Sequence, residues 1–399
     1  MAAPTSRFAE HGPLRVLWLI DSLTLGGAES LVAEFTGALD PRRLSVQVCC
    51  LTSIGDNPIE EELWARKVAC TNLNSRHLRD IGALRRLVGL VRRERFDLIH
   101  AHLTYAAIWG ALVSRFTKVP LLTTLHVKPS TDPVWSREGL RHRLMCMLLS
   151  VWCARVLAVS NSLRRAYVET NRIKAEKLIV VHNGVNCRAT KSVTAPQGLS
   201  LRRSLGIRED APLVTTVSVL REGKGVEVLL EATRQILAHH GDVSFLVVGD
   251  GPMRKNLEDV ALASGVGDRV HFLGFRRDIP TILRASDLFV LPSLEDAFPT
   301  VLMEAMAAEL PIVATRVGGV PEIIDAPATG RLIPAGDADA LGRAVIDLLG
   351  RPEERTAMGE RARRRAEDHF SIEVWLERLM AVYLDVVSEQ PIRSLVPIG

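Results

Sequence analysis

Leu288-Phe289-Val290-Leu291-Pro292-Ser293-Leu294-Glu295-Asp296-Ala297-Phe298-Pro299-Thr300-Val301-Leu302-Met303-Glu304-Ala305-Met306 holds a strand, a turn and a helix in one stretch. The four apolar residues at its start read as a buried strand, and the carboxylate-bearing turn ends where Pro299 opens a helix. Proline fits the first helical turn, where its missing N–H costs little. The amides of Thr300 and Val301 then lie at a helix start, which is a natural receiver of anions. Glu304 sits one turn in, on a helix otherwise apolar through Val301, Leu302, Ala305 and Ala308. A carboxylate there can accept two hydrogen bonds, as a ribose diol would offer. A helix-capping acid cluster explains the same acids, although a charge buried without partners is expensive.

The same alternation runs outward in both directions. Toward the C-terminus, strands are predicted at Ile312–Ala314 and Arg331–Ile333, followed by two closing helices over 351–387 with a break near His369–Ser371. Toward the N-terminus, the second half begins with strand Leu213–Val217, helix Val226–Ala238, strand Phe245–Val248, helix Met253–Ala263 and strand Val270–Leu273. The first half reads likewise: strands Arg15–Ile20, Ser45–Cys50, Leu98–His100, Leu121–Leu125, Val156–Val159 and Ile179–Val181, separated by helix-length segments. Alternation of this kind predicts mostly parallel sheets covered on both faces. Cys187–Leu201 shows no apolar periodicity, so a linker is expected over 191–206, between a first domain at 1–190 and a second at 207–370. The remainder, 371–399, is expected to hold a last helix and a tail.

Composition fits this two-domain reading. With 399 residues, 47% hydrophobic and 24% charged, the chain is an ordinary globular protein, not a disordered or collagenous one. The longest strongly apolar run, Leu144–Leu149 with Val151 and Trp152, is shorter than the roughly 20 residues of a membrane-spanning helix. The first residues lack the apolar core of a secretory signal, and the six cysteines include no CxxC, so reduced thiols in a cytoplasmic protein are expected and no metal site.

Charge is divided unevenly. Residues 1–190 carry 26 Lys and Arg against 16 Asp and Glu, a net of +10, while 191–399 carry 24 against 30, a net of −6. A basic first half suggests an anionic partner there. The segment Arg76–Arg95 is predicted as a basic amphipathic helix with Leu78, Ile81, Leu84, Val88 and Val91 on its apolar side. It makes an electrostatic platform for an anionic membrane surface, or simply a solvated helix. Nucleic acid is not expected, because no binding motif or aromatic interleaving accompanies the charge.

Further candidates sit at strand ends. Gly26-Gly27-Ala28-Glu29 follows the first strand and opens a helix, which suits either an anion or a tight βα turn. Val217-Ser218-Val219-Leu220-Arg221-Glu222-Gly223-Lys224-Gly225 places two cations beside a helix start, in a loop that is not a Walker loop. Val248-Gly249-Asp250-Gly251-Pro252 is a glycine turn that either meets a phosphate or ribose or only turns. Asp337-Ala338-Asp339, the one Asp-x-Asp spacing suited to holding a metal ion, opens a helix and reads as a cap.

Taken in order, GGAE, TTLH, R-x-G-KG, VGDGP, PS-x-x-D-x-FP-x-x-x-x-EAMA and VGGVPE resemble the retaining glycosyltransferases of family 4, over roughly residues 14–386. The resemblance implies an α/β chain of the GT-B fold, two Rossmann-like domains facing each other across a cleft. A nucleoside-diphosphate sugar, linked to uridine or guanosine, would bind mainly the second domain, and a saccharide or lipid-linked acceptor the first. By position, Gly27 resembles the loop glycine near the donor phosphate, His126 the histidine beside the transfer centre, and Lys224 the diphosphate-binding lysine. Glu304 resembles the second glutamate of the family's pair, which holds the ribose. The first glutamate falls on Asp296, one methylene shorter. The strand-end arginine of many members is Val219 here, and Arg221 resembles its substitute. Ser218, Gly251, Phe275, Thr300 and Val301 complete the expected donor contacts. No cofactor and no metal are implied. A sugar-nucleotide 2-epimerase of related fold and a non-catalytic nucleotide-sugar-binding partner protein are the alternatives.

Overall fold

A computed structural model describes residues 12–388, apart from 24–26, 53–57, 76, 78, 130–135 and 171. Gly26, Arg76 and Leu78 therefore lie outside the described residues. The chain divides into two units, the first running to His182 and resuming at Ile372, the second spanning Asn183–Ser371.

The first unit is built on seven parallel strands: β1 Leu14–Ile20, β2 Leu44–Cys50, β3 Ala69–Asn72, β4 Leu98–His102, β5 Leu121–Leu125, β6 Arg155–Ala158 and β7 Leu178–Val180. Their order is β3-β2-β1-β4-β5-β6-β7, so the sheet changes direction of growth between β1 and β4. The interior strands are apolar because both faces are covered, and β4 and β5 are buried along their whole length. β3 escapes sequence reading because Ala-Cys-Thr-Asn is a short, half-exposed edge strand without an apolar run. β4 continues past the expected His100 to His102, where polar residues are buried for reasons of chemistry and not of hydropathy.

The core of this unit is completed by the end of the chain. Helix Ile372–Ser388 buries Ile372, Trp375, Leu379, Met380, Val382 and Tyr383 against Trp18, Phe35, Val48 and Leu98. Trp375 meets the edge of Phe35 with centroids 5.3 Å apart, and Trp18 stacks on Phe35 at 3.9 Å.

The second unit has six parallel strands: β8 Leu213–Val217, β9 Ser244–Val248, β10 Val270–Gly274, β11 Leu288–Leu291, β12 Ile312–Thr315 and β13 Arg331–Ile333. The order β10-β9-β8-β11-β12-β13 reverses between β8 and β11. Val214, Phe245, Leu288 and Val313 from the sheet pack with Leu229, Leu341 and Val345 from helices Val226–His239 and Ala338–Leu349.

Two expectations are corrected. Residues 191–206 are not a linker: helices Cys187–Lys191 and Ala195–Ser204 occupy most of this stretch and belong to the second unit, which begins at Asn183. They are held by polar contacts that apolar periodicity cannot reveal. Arg202, nearly fully buried, donates to the carbonyls of Ala285 at 2.8 Å and Ala211 at 2.7 Å and pairs with Asp287 at 2.6 Å. Gly198 allows close approach, since a Cβ there would lie 3.3 Å from the Ala285 backbone. The basic helix is Ile81–Glu94, started by Asp80, whose side chain accepts the Ala83 amide at 2.9 Å. Its buried side is Ala83, Leu87, Leu90 and Val91, while Ile81 is exposed. The helix carries two apolar stripes, and packing selects the one with the small Ala83.

Candidate active site

The reversal between β8 and β11 leaves a crevice beyond the strand ends, where ligands bind in open α/β sheets. Two loops meet there. Gly223 accepts through its carbonyl from the amides of Leu294 at 2.9 Å and Glu295 at 3.3 Å, joining the loop after β8 to the loop after β11. Gly225 has φ +65°, and a Cβ on it would collide with the Pro292 carbonyl at 2.0 Å, so only glycine permits this contact. The result brings Lys224 Nζ to 2.6 Å from Asp296 Oδ2, both side chains largely buried. Asp296 is itself fixed from the other side. Gly318 at φ +49° passes so close that a Cβ would fall on the Asp296 carbonyl. The R-x-G-KG, PS-x-x-D and VGGVPE segments are thus one interlocked structure.

Helix Thr300–Ala307 starts beside this pair. Pro299 is the residue that precedes the helix, with φ −72° and ψ 113°, rather than the first helical residue. Thr300 and Val301 supply first-turn amides, which no helix can satisfy internally. Glu304 is half-buried one turn on. Ser218 follows β8, and its hydroxyl and that of the fully buried Ser293 meet no partner among the described residues. Gly251 is glycine for a packing reason, since a Cβ would lie 2.4 Å from the Leu220 carbonyl. Phe275, after β10, is exposed. Arg221 is also exposed and donates to the Glu222 carbonyl at 3.1 Å; it makes no ion pair among the described residues. The structure therefore groups Lys224 with Asp296 and leaves Arg221 outside that pair. Asp337 caps its helix, accepting the Ala340 amide at 2.8 Å.

In the first unit the equivalent crevice lies between β1 and β4. Gly27 is the first residue of helix Gly27–Gly37, which follows β1. The start of helix Thr104–Thr117, the counterpart of the helix at Thr300, is already occupied by a carboxylate: Asp21 accepts the amides of Ala106 at 2.6 Å and Tyr105 at 3.2 Å. Beside it lies a group of histidines. His126, half-buried just past β5, has Nε2 3.2 Å from Nδ1 of buried His102, whose own Nε2 meets no partner among the described residues. His100 bridges Tyr383 Oη and Thr124 Oγ1, each at 2.7 Å, and Trp18 donates its indole N–H to the same tyrosine at 2.8 Å. Burial pushes the His126 pKa down to about 4 and holds His100 and His102 well below the ordinary 6.5, so all three rings are neutral at pH 7. Sequence reading singled out His126 alone. His100 and His102 were legible only as the unusual polar positions of an otherwise apolar strand.

Residues 25–189 match the family described as Glycosyltransferase Family 4, and residues 199–365 the one described as Glycosyl transferases group 1. The N-acetyl-alpha-D-glucosaminyl L-malate synthase of Bacillus anthracis is 30% identical over 321 residues, covering 78% of this chain and 80% of that protein. The chain belongs to the GT-B glycosyltransferases. The UDP-Gal:alpha-D-GlcNAc-diphosphoundecaprenol alpha-1,3-galactosyltransferase of Escherichia coli is 24% identical, covering 80% of this chain and 82% of that one. Anabaena HepE, solved in complex with UDP-glucose, superposes with a TM-score of 0.82 at 24% identity, over 95% of this chain and all of that one. The two Rossmann-like units are those of the GT-B fold.

One further cluster in this glycosyltransferase lies on the β2–β3 side of the first sheet. Cys50 at the end of β2, Cys70 in β3 and Glu60 of helix Pro58–Ala65 place their ligand atoms within 4.8 Å of one another. Two sulfurs and a carboxylate form a donor set that could hold a soft divalent cation such as zinc. The spacing of the cysteines along the chain hides it, because adjacent parallel strands create the neighbourhood. The pair shares one hydrogen bond, which raises the Cys50 thiol pKa and lowers that of Cys70.

Proposed function

We propose that this chain is a metal-independent, retaining glycosyltransferase that moves a sugar from a UDP- or GDP-linked donor to a lipid-linked or saccharide acceptor. The donor belongs to the second unit and the acceptor to the first. The observation that carries this reading is the Lys224–Asp296 pair, held at the switch point beside the amides that open helix Thr300–Ala307. An ammonium and free first-turn amides are suited to the charge that grows on a departing diphosphate. In the first unit, Asp21 already fills the corresponding helix start, which argues against a second phosphate there.

In the reaction, the bond between the anomeric carbon and the diphosphate oxygen breaks while the acceptor oxygen attacks from the same face. The acceptor proton passes to the departing phosphate oxygen, so no separate base is required. Lys224 stabilises the diphosphate, with Arg221 as a second, exposed cation able to swing toward it. Asp296 orients Lys224 and holds a donor hydroxyl; Glu304 holds the ribose diol. His126, neutral at working pH, contributes a hydrogen bond to the sugar and not a charge. The E. coli relative, named for a diphosphoundecaprenol acceptor, supports a lipid-linked acceptor. In this proposal such an acceptor is met at the cytoplasmic face of a membrane.

Thermal stabilisation against a panel of nucleoside-diphosphate sugars identifies the donor. Product analysis by NMR then reads the anomeric configuration in the presence of EDTA. Inversion, or dependence on a divalent cation, overturns the mechanism; release of free nucleotide and an epimerised sugar without acceptor overturns the transferase reading.

A further inference from the structure

Helix Arg137–Trp152 is apolar on two sides. Gly139, His142, Met145, Cys146, Leu148 and Leu149 face the interior. Leu140, Leu144, Met147 and Val151 are 62%, 38%, 56% and 65% exposed. Their spacing of four, three and four residues puts them in an arc of about 60° on the helix. Phe116, 58% exposed, stands near the C-terminal end of the neighbouring helix Thr104–Thr117, which packs against this one. Isolated exposed leucines need no explanation, but a continuous stripe marks an interaction surface.

The charges around the stripe identify its partner. On a helical projection Arg137 and Arg141 flank it on one side and Arg143 on the other. Arg115 and Lys118 are exposed beside Phe116. Arg92, on helix Ile81–Glu94, donates to the Phe116 carbonyl at 3.4 Å and so joins the basic face of that helix to the same surface. Across these three helices the acidic residues are Glu94 and Glu138. Glu94 is paired with Arg93 at 3.0 Å. Self-association through this face would set arginine against arginine, because a twofold contact uses the same patch twice. The stripe itself is almost wholly aliphatic, without the Trp and Tyr anchors typical of protein partners. Aliphatic side chains between arginines whose stems can lie along the apolar surface are the pattern of a helix seated in a lipid interface. No helix among the described residues is long and apolar enough to cross a membrane, so the contact is by one face.

We propose that the helix Arg137–Trp152, with Phe116, docks this protein onto an anionic phospholipid bilayer, the stripe Leu140–Leu144–Met147–Val151 entering the headgroup boundary and the flanking arginines meeting phosphates. This deepens the membrane part of the function proposed above, relocating the contact from the basic helix Ile81–Glu94 alone, and it does not depend on donor, acceptor or catalysis.

The test is vesicle flotation of the full chain, without substrates, on phosphatidylcholine alone and on phosphatidylcholine mixed with phosphatidylglycerol. Wild type is expected to float with the anionic vesicles and to be partly released by high salt. Leu140→Ser with Met147→Ser is expected to weaken partition by about tenfold or more, and Arg137→Glu with Arg143→Glu by a similar factor. All four positions are exposed, and unchanged melting temperatures confirm intact folding. The proposal fails if wild type stays unbound, or if the serine variant floats as wild type does. It fails equally if only Arg85→Glu with Arg93→Glu on the other helix releases the protein, or if the stripe proves to hold a dimer that the serine variant dissociates. Donor-induced thermal stabilisation of the same samples reports separately on the transferase reading.

Discussion

Lys224 and Asp296 are each the other's partner, and both are largely out of solvent. Lys224→Ala is expected to lower turnover on the order of a hundredfold or more and to abolish stabilisation by donor, with a native circular dichroism spectrum. Unchanged turnover would remove the lysine from the mechanism. The histidines give a second residue-level expectation. Because His100, His102 and His126 are neutral in the folded protein and ordinary in the unfolded chain, unfolding takes up protons as pH falls below 6.5. Their contribution to stability is complete above 6.5 and is lost progressively toward about 4. Melting temperature should therefore be level above neutrality and decline between about pH 6.5 and 5, above the usual carboxylate range. A flat profile there would mean that the cluster is accessible or charged in the native state. Thiol reactivity separates the cysteine pair: alkylation should reach Cys70, half-buried and with its pKa lowered, well before Cys50, and equal rates would contradict their shared hydrogen bond.

At the scale of elements, Asp337→Ala removes a cap and is expected to cost about 1 kcal/mol in denaturant unfolding without altering turnover. A loss of activity reversed by added cation would instead make Asp337-Ala338-Asp339 a metal site. This cap was legible from its place before a helix, as were the apolar strands and the loop–helix pairs carrying Lys224 and Glu304. Hydropathy speaks for elements that bury oil. It was silent for helix Ala195–Ser204, which is anchored by the buried guanidinium of Arg202, and for edge strand β3, which buries little. It was ambiguous for Ile81–Glu94, where two stripes compete. The candidate site divides the same way. Residues after strand ends were legible through glycines and charges, whereas the partner of each, such as His102 for His126 or Asp21 for helix Thr104–Thr117, depends on which strands become neighbours.

For the whole molecule, the arrangement of most consequence is that the first unit borrows its last helix from the far end of the chain. Trp375, Leu379, Met380 and Tyr383 cover Trp18 and Phe35, and Arg43 pairs with Glu377 on the same surface. Burying six large side chains is worth roughly 10 kcal/mol in gross transfer free energy, comparable with the about 5–15 kcal/mol that keeps a domain folded. A chain ending at Ser371 is therefore expected to lose the cooperative transition of the first unit in calorimetry while the transition of Asn183–Ser371 persists. Two intact transitions would show that helix Ile372–Ser388 is dispensable. Tyr383→Phe, which strands the Trp18 indole and a ring nitrogen of His100, should cost about 1–3 kcal/mol on the same measurement.

That borrowed helix also imposes an order on biosynthesis. As the polypeptide leaves the ribosome, the residues up to His182 emerge before Ile372–Ser388, so on the same argument the first unit is expected to finish folding only once translation has passed Tyr383. At about 5–20 residues per second, the incomplete sheet waits on the order of ten seconds or more with Trp18 and Phe35 uncovered, while the later half closes on itself. The nascent N-terminal half, more than the finished protein, is thus the form expected to engage a chaperone.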